Sequence, residues 1–148
     1  MAGEDELERI SNELQVQQAK GEAIRQQIQA MQGSILEVSA AMEALKNLQK
    51  AKGDTLVPLG AGVFMSCPKP DSDRIVMSIG AGVMVQKKPE ETMKILEERT
   101  NRMSEAIGLA QTDLSQVIKS IESLTERAGV LSAAEERKNV RPSKEQAV

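Results

Sequence analysis

TLVPLGAGVFMSCP (residues 55–68) and, six residues on, RIVMSIGAGVMVQKK (residues 74–88) are the stretch whose reading decides the fold. Leu59-Gly60-Ala61-Gly62-Val63-Phe64-Met65 recurs twenty positions later as Ile79-Gly80-Ala81-Gly82-Val83-Met84-Val85. Each copy is an apolar run, a Gly-x-Gly break and a second apolar run. Glycine reaches positive φ without steric cost, so each break reads as a hairpin turn and the stretch as two tandem β-hairpins over 54–88. Their strands are apolar on both faces: Ile75, Met77 and Ile79 point one way and Val76 the other, while Phe64 opposes Val63, Met65 and Cys67. A sheet with one buried face should alternate apolar with polar more cleanly. Free edges and an uncovered apolar face call for another chain, which makes the stretch an assembly platform. The interface residues expected on it are Val57, Leu59, Val63, Phe64, Met65, Ile75, Val76, Met77, Ile79, Val83, Met84 and Val85. Pro68 should end the second strand early.

Working outward, residues 4–52 read as one helix. Apolar residues follow a 3-4 alternation through Leu7, Ile10, Leu14, Gln17, Gly21, Ile24, Ile28, Met31, Ile35, Val38, Met42 and Leu45, with Gln17 and Gly21 as the exceptions. This heptad seam is long enough to mark a coiled coil. Glu4, Asp5 and Glu6 suit a helix start, the lysines at 46, 50 and 52 suit its end, and Gly53 suits a C-terminal cap. On the other side, Lys88-Pro89-Glu90-Glu91 opens a second helix over 89–137. Its seam is Met93, Leu96, Thr100, Met103, Ile107, Ala110, Leu114, Val117, Ile121, Leu124, Ala128 and Leu131, where Thr100 is the clearly polar member. Arg141-Pro142 ends any helix, and 138–148 reads as a charged, disordered tail.

The expected fold is therefore α+β: a long antiparallel two-helix coiled coil with two β-hairpins between the helices. Facing positions stay level only if their numbers sum to a constant, and a sum of 138 gives all twelve seam positions a partner, from Leu45/Met93 to Leu7/Leu131. A one-heptad slip is the competing register. Gly21 should leave a hole opposite Val117, and Gln17 sets an amide against Ile121. These two either fix the register, as polar seam positions do, or weaken the coil so that its free end splays. In the second case the free end would show Leu7, Ile10, Leu14, Leu124 and Leu131, with Val16 and Val130 lying off the seam, as a client-binding surface.

Composition narrows the function. The chain has 148 residues, no His, Trp or Tyr, one Phe and one Cys. Nineteen Lys plus Arg against 22 Asp plus Glu leave a formal net charge of -3, without the basic patch of a nucleic-acid binder. No apolar run reaches transmembrane length, no basic face marks a membrane-surface coil, and a lone Cys excludes an intramolecular disulfide framework. Cytoplasmic is the default location. Gly60-x-Gly62 and Gly80-x-Gly82 lack the third glycine and the helix start of a phosphate loop. Asp71-Ser72-Asp73 lacks a third metal ligand and reads as a turn. Cys67 has no histidine to serve as its base. No catalytic, cofactor or metal site is expected.

The order of elements, with Thr55–Phe64 (TLVPLGAGVF) and Val76–Val83 (VMSIGAGV) as the closest motifs, resembles the alpha class of the archaeal-type chaperone prefoldin. The beta class of that family has one hairpin, so the duplicated GAG favours alpha. The resemblance covers nearly the whole chain. It implies a hetero-hexamer of two alpha and four beta subunits, joined by hairpins into β-barrels from which coiled-coil tentacles project. It further implies capture of unfolded polypeptides at the tips without ATP and their delivery to a group II chaperonin. The other class carried forward is a structural protein, a coiled-coil spacer or filament-forming subunit.

Overall fold

A computed structural model describes residues 2–71 and 73–140. The elements are α1 (Ala2–Lys50), β1 (Thr55–Gly60), β2 (Val63–Cys67), β3 (Ile75–Gly80), β4 (Val83–Lys87) and α2 (Pro89–Asn139). This is the expected architecture, with small changes at the ends. α1 begins at Ala2 and stops at Lys50, and α2 continues through Lys138 and Asn139, where a tail was expected. The Val140 N–H still donates to the Glu136 carbonyl, and Arg137 and Lys138 suit the negative end of the helix dipole. The rest of the expected tail, 141–148, lies outside the described residues. Pro89 opens α2 as expected, and the Lys88 carbonyl accepts from both the Thr92 N–H and the Thr92 hydroxyl.

The chain divides into two compact units, Met1–Ala30 with Ile107–Val148, and Met31–Ala106. In the first, every expected seam position is buried or half-buried; Gly3, Glu6 and Glu135 aside, every other described residue is exposed. Ile10, Ile28, Ala110, Val117 and Leu124 are the most deeply buried apolar side chains there. A Cβ built on Gly21 would meet Val117 Cγ1 at 3.4 Å and Leu114 Cδ1 at 3.9 Å. A one-heptad slip would instead set Gly21 against Ala110 or Leu124, so the register is the one whose facing numbers sum to 138. The expected hole is present and about one methyl wide, with Val117 and Leu114 as its far wall. Since 3.4 Å is ordinary van der Waals contact, Gly21→Ala should remove the entropic cost of a helical glycine without a clash. The expected gain is about 1 kcal/mol, read as a rise of about 2–4 °C in Tm by thermal circular dichroism; a fall would mean that Val117 cannot yield.

In the second unit the seam positions of α1 and α2 are again buried or half-buried. Thr100, the polar member, turns its hydroxyl back onto the Leu96 carbonyl at 3.0 Å, so it brings no unpaired donor into the seam.

Candidate assembly surface

Each hairpin is a separate two-stranded antiparallel sheet, β1 with β2 and β3 with β4. The register runs Val57↔Met65 and Pro58↔Phe64, then jumps to Gly60↔Val63, which leaves Leu59 as a bulge. The second hairpin repeats this one side chain for another: Met77↔Val85, Ser78↔Met84, then Gly80↔Val83. The turns are built by Ala61-Gly62 and Ala81-Gly82, with both residues of each at positive φ. That is the primed turn whose twist matches the strands. The glycines were legible in the sequence; the left-handed alanines, at φ 51°, were not. An L-residue there costs about 1–2 kcal/mol, which the turn's fit to the strand twist must offset.

Two-stranded hairpins are marginal in water on their own. The second has a base to rest on. Met77 is 8% exposed, and Ile75 and Val85 are half-buried. Arg99 on α2 donates from Nη2 to the Ser78 carbonyl at 3.2 Å, tying β3 to that helix. Beside it lies a cleft of about 860 Å³ whose walls include Leu45, Leu48, Leu56, Val76, Met77 and Leu96. The first hairpin borders the same cleft through Thr55 and Leu56 at its base and is less well seated. Its equivalent pair, Val57 and Met65, is 39% and 49% exposed. The opposite faces of both hairpins are open too, with Phe64, Val76 and Met84 all more than half exposed. Leu59, Val63, Ile79 and Val83 near the turns are likewise exposed.

Nine of the twelve expected interface residues are therefore exposed, and Ile75, Met77 and Val85 serve instead to seat the second hairpin. Leu56, outside those twelve, is exposed as well, at 64%. Its signal was available: it shares the Pro58–Phe64 face by strand alternation. The Thr55 hydroxyl oxygen at the edge of the cleft is buried with no hydrogen-bond partner among the described residues.

The expected client-binding residues lie in the other unit. Ile10 and Leu124 are buried, Leu7, Leu14 and Leu131 half-buried, and Val16 and Val130 exposed. Arg127 and Glu6 form an ion pair across the helices nearby. The closed coil therefore offers a client little apolar surface at this end. Among the described residues, no group of three His, Cys, Asp or Glu side chains could hold a metal ion, and no helix is long and apolar enough to cross a membrane.

Residues 6–134 match the prefoldin family, described as "Prefoldin subunit". The chain belongs to the prefoldin family. Among its relatives, the prefoldin subunit alpha of Pyrococcus horikoshii is 32% identical over 126 residues, covering 83% of this chain and 85% of that one. The prefoldin subunit alpha of Methanobrevibacter smithii is 29% identical and covers 90% of this chain and 92% of that one. These place it with the archaeal alpha subunits, the class that the duplicated GAG turn pointed to. A solved structure described as filamentous PFD from Methanocaldococcus jannaschii has the same fold. Its TM-score is 0.68 at 21% identity, and the match covers 78% of this chain and 98% of that one. As a prefoldin the chain is a chaperone subunit.

Proposed function

We propose that this prefoldin subunit is an ATP-independent holdase of the cytoplasm. It assembles through its hairpins with beta-class subunits, two alpha with four beta, captures unfolded polypeptides at the coil end away from the hairpins, and passes them to a group II chaperonin. The observation that carries the assembly half is the exposure of nine platform residues on hairpins too small to stand alone. Capture rests on weak, non-directional contact at about 25 cal/mol per Å² of apolar surface, multiplied by several tips on one base. No sequence-specific chemistry is required of such a surface.

Deleting the residues before Leu14 and after Leu124 tests the capture half. Native mass measurement of the full chain with a beta-class subunit should still give the complex, while suppression of client aggregation falls at least severalfold. Undiminished suppression would remove the coil ends from the mechanism. A second reading, a filament-forming subunit, is favoured by the filamentous state of the Methanocaldococcus jannaschii protein. Electron microscopy of the chain alone and with a beta-class subunit separates the two, since filaments and closed particles differ in outline.

A further inference from the structure

Seven of the methionines fall within the described residues, and they divide sharply. Met31, Met42, Met93 and Met103 are half-buried on the helices, and Met77 is buried under the second hairpin. Only Met65 and Met84 among them are exposed, at 49% and 59%, and there is one on each hairpin. Both lie among the apolar side chains proposed above as the assembly surface. Met65 faces Val57 across the first hairpin, and Met84 faces Ser78 across the second.

We propose that Met65 and Met84 are peroxide-modification sites that close the platform to assembly, an inference that rests on the assembly reading above. The thioether sulfur attacks one oxygen of a hydroperoxide, the O–O bond breaks, and sulfoxide and an alcohol (water, for hydrogen peroxide) result. The sulfur loses two electrons and the peroxide gains them. No activated thiolate or metal is needed. Exposure of the sulfur decides which methionines react, so the two hairpin residues are oxidised ahead of Met77 and the helix methionines. The product carries a strong hydrogen-bond acceptor onto strands made mostly of Val, Ile, Leu and Phe, whose donor side chains are Thr55, Ser66, Cys67, Ser78, Gln86 and Lys87. The unassembled chain is the vulnerable form. In the complex the same two sulfurs are covered.

The test treats the full chain with hydrogen peroxide before and after mixing with a beta-class subunit, maps sulfoxides by peptide mass, and measures association. Oxidation is expected first at Met65 and Met84. It should weaken subsequent association by about tenfold per sulfoxide and be slowed in the preformed complex. A methionine sulfoxide reductase should restore association. The double variant Met65→Leu, Met84→Leu, measured against its own untreated form, should lose no association after peroxide. Oxidised wild type that assembles as tightly as untreated protein overturns the proposal, as does a double variant that remains equally peroxide-sensitive. Failure of the untreated chain to associate at all would instead strike the assembly reading.

Discussion

Phe64→Glu combined with Val76→Glu should convert the assembled subunit to free chains while leaving its helix content unchanged. Both side chains are more than half exposed, 58% and 59%, so in the lone subunit the new carboxylates meet water and no part of its fold is touched. Phe64 and Val76 lie on different hairpins, so both sheets lose an apolar face at once. An apolar partner face would have to bury two unpaired charges, which costs several kcal/mol each after relaxation. The expected loss in association is more than about a hundredfold, seen as a drop in native mass at unchanged far-ultraviolet circular dichroism. Val16→Glu is the matched control. Val16 is 64% exposed but lies on the other unit, and its variant should assemble as wild type does. Equal assembly of the double variant would mean that the hairpins are not the platform.

A disulfide lock on the coil should abolish most client capture. Ile10 and Ala128 face each other in the observed register, and Ile10 is 4% exposed. With Cys67→Ser to remove the native thiol, Ile10→Cys and Ala128→Cys should crosslink on oxidation. Opening this end exposes Ile10 and Leu124, at about 1.5–3 kcal/mol for each fully buried side chain. A bound client returns that energy by covering the same groups. The crosslink forbids the exchange, so aggregation suppression should fall about tenfold or more, by the same energetics, and recover on reduction. Oxidised and reduced protein that suppress aggregation equally would sink the splaying mechanism and leave capture to the outer side chains, Val16 and Val130. Hydrogen exchange gives an independent reading, because a coil that opens should exchange faster around Ile10 and Leu124 than around Ile28 and Ala110.

Much of this was written locally. The 3-4 spacing from Leu7 to Leu45 and from Met93 to Leu131 fixed which helix positions are shielded, because an antiparallel pair of helices has one contact stripe and heptad spacing traces it. The GAG repeat fixed the turns, and Pro68 the end of β2, since both act through the backbone conformation of a few neighbouring residues.

Other features came only with the tertiary structure. The spacing put a hole at Gly21, and only packing set its width, because that depends on how closely Val117 and Leu114 approach. Strand alternation put Met77 and Val57 in equivalent places, and it could not say that one is seated and the other bare. That difference depends on Leu96 and Arg99 lying beside β3, a meeting of segments about twenty residues apart. Periodicity likewise placed Ile10 and Leu124 on the seam, and only packing against the facing helix set how deeply each is buried, 4% and 9% exposed. Short-range pattern thus determined which groups can be shielded, and long-range contact decided which are, since burial belongs to a pair of surfaces and a sequence presents them one at a time.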